Sequence, residues 1–439
     1  MYFMNKQSNP LALAIMLAFS ICFVSQTLFA QNFTGQGTLS NPYLISSADD
    51  LRLLANYVNN GKNYHDEYFQ MTTNIAINQN VLLDNGELNP SHYGFEKWVP
   101  IGNSETRYFC GNFDGNGYSI SGLYADDNSE NTFQALFGFF SGTISNLTIY
   151  DSYFGGYSAA GMVGRVLSKS GYPPSIINST SYVCVHAEHF AGGIVALSES
   201  AKLVIDKCVN YGMVTSEWGL GGAGMVGWST AQYTRIKNCV NYGAIKGSTA
   251  PCGLISGNES KVYNSANFGS VNGNTIEAGI CRSTYEINNC VNYGIIDDGK
   301  GYGIFLSIKN GREMDNTYFF SLSAKKGYDQ INNINNLVNW SAGPHCHSMN
   351  ASQMKDPAFL NQLNENARSL GEDFCFWIFG DDGFPTLEYV SQRVNSLGIR
   401  QIPNETIGKQ IIHSVSGQHL TKLKKGVNIV NGRKVIIKL

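Results

Sequence analysis

The chain repeats itself. Cys208-Val209-Asn210-Tyr211-Gly212 returns as Cys239-Val240-Asn241-Tyr242-Gly243, as Ser265-Ala266-Asn267-Phe268-Gly269 and as Cys290-Val291-Asn292-Tyr293-Gly294, at spacings of 31, 26 and 25 residues. A second track interleaves with the first: Ala135-Leu136-Phe137-Gly138, Gly161-Met162-Val163-Gly164, Gly193-Ile194-Val195-Ala196, Gly224-Met225-Val226-Gly227, Gly253-Leu254-Ile255-Ser256, Gly279-Ile280-Cys281-Arg282 and Gly303-Ile304-Phe305-Leu306. Two tracks in fixed alternation mean one structural unit per period. Each unit holds short β-branched or apolar runs bounded by Gly and Asn, with no helical window of ten or more residues, so it is built of strands and turns. A strand-only unit of roughly 25 to 30 residues is one coil of a solenoid, whereas propeller blades need about forty or more. The predicted fold is therefore all-β: a right-handed parallel β-helix, the handedness following the usual crossover rule, with successive coils ~4.8 Å apart.

In such a stack equivalent positions stand above one another. Cys208, Cys239 and Cys290 then form an inward column with Ser265, as small reduced side chains in the core. Asn210, Asn241, Asn267 and Asn292 form an amide ladder at a turn, and the Gly two residues on is expected to supply the positive φ that closes it.

Composition agrees with many turns and few charges. Charged residues make up 14% of the 439, against a usual ~25%, with 47 Gly. The 24 Tyr and 24 Phe exclude a disordered chain, and a formal charge of −3 excludes a generally basic nucleic-acid binder. Residues 1–30 read as a secretory signal peptide, with Lys6 before an apolar stretch from Leu11 to Val24 and cleavage after Ala30. No later segment approaches the ~20 apolar residues of a membrane-spanning helix. Ten cysteines, one of them in the leader, are too sparse for a disulfide framework.

The β-helix domain, 31–400, carries a cap at each end of the coils. Within 31–75, Ser47 and Asp50 start an amphipathic helix with Leu51, Leu54, Ala55 and Val58 on one face. Within 345–400, Ser352 to Leu370 is helical, interrupted by Pro357, and is expected to cap the last coil. Residues 401–439 form a basic β tail.

Trp98-Val99-Pro100-Ile101-Gly102, the run from Phe109 to Leu123 that contains Gly111-Asn112-Phe113-Asp114-Gly115-Asn116-Gly117, and the Gly-Met-Val-Gly repeats resemble the GLUG-motif β-helix proteins of bacterial surfaces. The tail from Ser414 through Gly432 is similar to the C-terminal secretion or sorting tails of Bacteroidetes exported proteins. The resemblance implies a secreted or outer-surface location, adhesion-type roles and contact with secretion machinery through the tail. It brings no catalytic residues.

Site chemistry is sparse. Gly219 to Gly224 matches a dinucleotide GxGxxG but lacks the surrounding strand, helix and downstream acid, so it reads as a turn. Cys184, His186 and His189, with Glu188, are the metal-ligand candidates, but their spacing fits no structural zinc pattern and no metal or cofactor is expected. Asp114 beside Asn116 reads as a tight turn, one carboxylate being too few for calcium. The acids between 161 and 316 place no two on one face at the repeat period, which argues against a glycosidase pair. The aromatic residues Trp218, Trp228, Tyr233, Tyr285 and Tyr302 lie near turns and are the ligand-binding candidates. The reading is a non-catalytic surface protein that binds an extracellular glycan or a protein. A polysaccharide lyase or glycoside hydrolase, or a structural spacer, are the alternatives.

Overall fold

A computed structural model describes residues 33–328 and 345–390, apart from positions 170, 201, 220, 231–233, 258–259, 276 and 297–300, together with four strands between 412 and 437. The leader read over 1–30 lies outside the described residues. Short strands wind into a parallel β-helix. One coil runs Thr143–Ser145, Thr148–Tyr150, Tyr153–Gly156, Ser158–Ala160 and Val163–Val166. The next runs Ser175–Ile177, Thr180–Ser181, Cys184–Ala187, Phe190–Gly192 and Val195–Ser198. Each strand of the first pairs in parallel with its counterpart in the second.

Register puts like on like. Phe113, Ile144, Ile176, Ile205, Ile236, Val262, Ile287 and Met314 form one column. Ala125, Phe154, Val185, Val214, Ile245 and Val271 form a second. Phe137, Val163, Val195, Val226, Ile255, Cys281 and Phe305 form a third. All three point inward and make one continuous core. At its N-terminal end lies helix α1 (Ala48–Asn59), started by Ser47, whose side chain accepts from the Asp50 amide at 3.2 Å. It buries Leu51, Leu54, Ala55 and Val58 in the same core, between the paired strands Tyr43–Ile45 and Tyr68–Met71.

The ladder asparagines are in register and fully buried. Asn210 Nδ2 donates to Asn241 Oδ1, Asn241 Nδ2 to Asn267 Oδ1 and Asn267 Nδ2 to Asn292 Oδ1, each at 2.8 Å, and Asn292 Nδ2 ends the chain on Ser323 Oγ at 2.7 Å. Each amide also donates to the carbonyl of the glycine two residues on. Beneath them the thiols of Cys208, Cys239 and Cys290 are buried and free, each aimed at a carbonyl two residues back. Burial pushes the Cys290 thiol up to about 12, and protonated buried thiols are inert.

Glycine's role differs from the expectation. Gly212, Gly243, Gly269 and Gly294 do not have positive φ. A Cβ on Gly243, Gly269 or Gly294 would fall 1.9 Å from the carbonyl oxygen of the equivalent glycine one coil back, so the residue is set by close approach of backbones. The positive φ belongs to the residue before the repeat: Asn238, Asn264 and Asn289, at 52°, 46° and 53°. Asn tolerates the left-handed region better than other residues with a side chain. These build a second ladder running the opposite way, Asn289 Nδ2 to Asn264 Oδ1 at 2.7 Å and Asn264 Nδ2 to Asn238 Oδ1 at 2.8 Å. The two sequence tracks also meet in space. A Cβ on Gly193, Gly224, Gly253 or Gly279 would lie 2.4 to 2.5 Å from the amide carbon of Asn210, Asn241, Asn267 or Asn292 respectively.

The C-terminal segment does not simply cap the last coil. Helices α2 (Ala351–Met354) and α3 (Pro357–Leu370), with Pro357 at the start of α3, lead into the antiparallel pair Trp377–Phe379 and Pro385–Leu387. This segment is a strap laid back along the outside of several coils. Leu363 O accepts from Asn289 Nδ2 at 2.9 Å, Trp377 Nε1 donates to Asn264 Oδ1 at 2.7 Å, Cys375 N donates to Asn238 Oδ1 at 3.0 Å, and Tyr389 Oη donates to Asn238 O at 2.7 Å. The reason lies in strand alternation. In each repeat Cys and Asn turn inward, so Val and Tyr turn outward. The stacked rings of Tyr211, Tyr242, Phe268 and Tyr293, 4.4 to 4.9 Å apart, with Val209, Val240 and Val291, form a second apolar cluster with the strap's Met354, Phe359, Leu363, Trp377, Phe384 and Leu387. One coil further back the outward residues are Thr180 and half-buried Tyr182, then Thr148 and exposed Tyr150. The tail strands Ile412–Ser414, His419–Leu420, Gly426–Val430 and Arg433–Ile437 form a separate antiparallel sheet.

Two outcomes follow from this architecture. Asn241→Leu leaves one N–H of the Asn210 amide and the Asn267 carbonyl oxygen without their ladder partner in a buried setting, and calorimetry should show a loss of about 3 kcal/mol; an unchanged melting temperature would refute the ladder. Asp382, in the strap, has its carboxyl raised from 3.8 to about 6, chiefly by burial. A carboxyl raised in the folded state stabilises below its unfolded pKa and loses that contribution as pH climbs through the folded value. The melting temperature of the natural chain should therefore fall relative to Asp382→Asn between about pH 3 and about pH 7; parallel curves would show that the carboxyl titrates normally.

Candidate functional site

The outer face of the sheet containing Tyr153–Gly156 and Cys184–Ala187 is covered at its N-terminal end. Val81, Leu82, Leu88 and Phe95 pack there on Tyr124, Tyr153, Cys184 and Met213. Beyond that cover the strands Val214–Ser216, Ile245–Gly247 and Val271–Gly273 stack in register. Alternation sends Val214, Ile245 and Val271 into the core and sets Thr215, Lys246 and Asn272 outward. The next position along is Ser216, Gly247 and Gly273, a shelf of small residues. Thr215, Ser216, Glu217, Trp218, Lys246, Gly247, Ser248, Asn272, Gly273 and Asn274 line a groove of about 390 Å³.

Trp218 stands at the edge of this groove with 78% of its surface exposed. Its backbone is held firmly. Glu217 N donates to Ala187 O at 2.9 Å, Trp218 N to Glu188 O at 2.8 Å and Ser216 Oγ to His189 O at 2.8 Å. A Cβ on Gly219 would meet His189 O at 2.0 Å, so the coil turns tightly just past the indole and fixes its base. Glu217 Oε1 is 2.7 Å from His186 Nε2. The groove thus offers a flat aromatic surface, an ammonium, a carboxylate already bound by a histidine, and hydroxyl and amide groups. That is the composition of a site for polar ligands with apolar faces.

The other aromatic candidates are placed differently. Trp228 is corrected: it is 7% exposed, packed with Phe133, Phe139, Leu167 and Leu197, with the Arg282 guanidinium 5.0 Å from its ring centroid. Its strand is four residues long and all buried, so it belongs to packing. Tyr285 is half-buried, with Lys261 Nζ 4.9 Å from its ring centroid. That lysine also pairs at 2.6 Å with Glu286. Burial pushes the Glu286 carboxyl up, but Lys261 and the Tyr263 hydroxyl outweigh it and hold it below its ordinary value. Tyr302 is half-buried and in register with Ala278 and Lys326. Tyr233 lies outside the described residues. Of the candidates, Trp218 is the exposed one that lines a groove.

The metal candidates are not brought together. Cys184 is buried, His186 is exposed on Glu217, and the His189 ring stacks on Tyr157 at 4.6 Å. Cys184 and His186 both turn outward on their strand, but the cover from Val81 to Phe95 buries the first and leaves the second open. Among the described residues no three His, Cys, Asp or Glu side chains converge. Asp114 accepts from Asn116 N and Asn146 Nδ2, both at 2.8 Å, and so ends a separate short run of left-handed asparagines in which Asn178 Nδ2 donates to Asn146 Oδ1 at 2.6 Å. The Gly-rich run at 219–224 enters the strand Gly221–Ala223. The other groove residues, Glu217, Lys246, Asn272 and Asn274, were not singled out from the sequence. Their signal is weak: a third aligned track, polar residues following Val214, Ile245 and Val271.

No family model matches the chain. Halomucin of Haloquadratum walsbyi is 30% identical over 175 residues, 40% of this chain and 2% of that protein. A protein provisionally named a Gly-rich membrane protein, from Evansella cellulosilytica, is 33% identical over 134 residues, 30% of this chain and 14% of that protein. The chain matches a small part of the length of these relatives. A solved structure provisionally described as an immunoglobulin A1 protease from Bacteroides ovatus superposes with a TM-score of 0.51 at 18% identity, covering 81% of this chain and 94% of that one. At that identity the likeness establishes the fold alone.

The two tryptophans should separate in a stability assay. Trp228→Ala should cost about 3 kcal/mol, as large-to-small core changes do, and Trp218→Ala should stay within about 0.5 kcal/mol of the natural chain. Equal losses would contradict their placement.

Proposed function

We propose that this chain is an exported cell-surface β-helix protein that binds an extracellular glycan non-catalytically through the Trp218 groove. The carrying observation is the 78% exposed indole, seated on a rigid coil edge beside polar side chains. An aromatic plane stacks on the apolar face of a sugar ring while hydroxyl and amide groups meet its edge. The small residues Ser216, Gly247 and Gly273 span three stacked coils, about 10 Å along the solenoid at the strand spacing. The surface location is supported by the leader-like residues 1–30, by the resemblance of the tail to sorting tails, and by partial similarity to halomucin and to a protein named for a membrane. No helix among the described residues is long and apolar enough to cross a membrane. The GLUG resemblance fits the same reading.

Polysaccharide cleavage is the competing reading, and the same experiment addresses both. The exported chain, applied to an array of neutral and acidic glycans, should retain a subset, and Trp218→Ala should weaken that retention by more than about tenfold, the loss typical of a central aromatic anchor. Retention that is indifferent to Trp218→Ala overturns the groove as the site. Release of new reducing ends or unsaturated products during incubation overturns the non-catalytic reading. No retention of any glycan favours the spacer.

A further inference from the structure

The charges around the groove carry the reading one step further, to the class of glycan. We propose that the Trp218 groove selects anionic saccharides, with the Lys246 ammonium as the contact that reads the sugar's carboxylate or sulfate. The inference rests on the groove being a glycan site.

Lys246 is the middle member of an outward row, in register with Thr215 on one side and Asn272 on the other. It is exposed, and among the described residues no ion pair engages it. Three other cations on the outer faces of the coils are already matched, Arg165 to Glu105 and Glu199, Lys237 to Asp206 and Asp373, and Lys261 to Glu286, while the exposed Arg235 lies outside the groove lining. The groove's one acid, Glu217, is in the opposite condition, since Oε1 lies 2.7 Å from His186 Nε2 on the preceding coil. The lining therefore presents an uncommitted cation and a committed anion. An uncommitted ammonium in a concave polar site draws anions and fixes their orientation.

Geometry places that cation usefully. Lys246 leaves the level next to the one that ends in Trp218, on the same face of the sheet. A sugar ring stacked on the indole would then have its substituents, or those of the adjoining ring, within reach of a flexible four-carbon stem. The neighbouring residues Ser248, Asn272 and Asn274 carry groups able to donate to sugar oxygens. The positions beside this row are Ser216, Gly247 and Gly273, which add no long side chain of their own to the groove.

The test is calorimetric titration of the full chain with two probes of equal length, an oligogalacturonate and a neutral cello-oligosaccharide, repeated with Lys246→Met and Trp218→Ala. The oligogalacturonate should bind about fivefold tighter, the scale of one partly exposed ion pair. Lys246→Met should erase that preference without lowering the melting temperature, and raising the salt from about 0.05 M to about 0.5 M should do the same. Trp218→Ala should weaken both probes. Equal affinity for the two probes, or a preference that survives Lys246→Met, overturns the anionic class and leaves the glycan groove standing if binding still depends on Trp218. Binding of neither probe in a Trp218-dependent way overturns both.

Discussion

The structure depends on one interaction, the donation of a side-chain amide to the same amide one coil along. Asn210, Asn241, Asn267 and Asn292 pass a hydrogen bond at 2.8 Å from coil to coil in a fully dry setting. A buried amide left without partners is costly, so each asparagine is satisfied when the coils hold perfect register. Slippage by one residue would exchange the inward Cys and Asn for the outward Val and Tyr. The ladder is therefore a device for register as much as for stability. Its second partner, the carbonyl of the following glycine, ties the same amide to its own turn.

Glycine is what lets this ladder exist. The carbonyl of Gly212 occupies the space where a side chain at Gly243 would stand, and the glycines of the other sequence track close over the asparagine amides from the opposite side. The two motifs thus form one contact seen from its two halves. Positive φ, the usual reason for glycine in a turn, is carried instead by Asn238, Asn264 and Asn289. Those residues lend their own amides to a second ladder, and that ladder is where the strap attaches.

The outer surface is then divided between two non-repeating covers. Residues around Val81 to Phe95 close one face at the N-terminal end. The strap from Met354 to Val390 closes another at the C-terminal end. Outward side chains follow this division. They are Val, Tyr and Phe under the strap, and further back Thr and Ser, with Tyr182 half-buried and Tyr150 exposed. The Trp218 groove lies past the first cover, on strands whose outward residues are polar. The exposed Trp218 there contrasts with Trp228, which is buried against Phe133, Phe139, Leu167 and Leu197.

The sequence by itself determined the winding, the core columns, the asparagine ladder, the inward cysteines and the N-terminal helix. All of these come from periodicity or from a local cap, and a stack of coils must repeat the same residue wherever the same contact recurs. It also held an unused sign of the strap, since Val209 and Tyr211 fall on the face opposite Cys208 and Asn210. Tertiary structure decided what those outward residues meet, through contacts such as Tyr389 with the Cys208 carbonyl, 181 residues apart. It decided equally which tryptophan is open, which cysteine is covered, and that Thr215, Lys246 and Asn272 share a groove with Trp218. Exposure depends on where a non-repeating segment comes to rest, and periodicity carries no information about that.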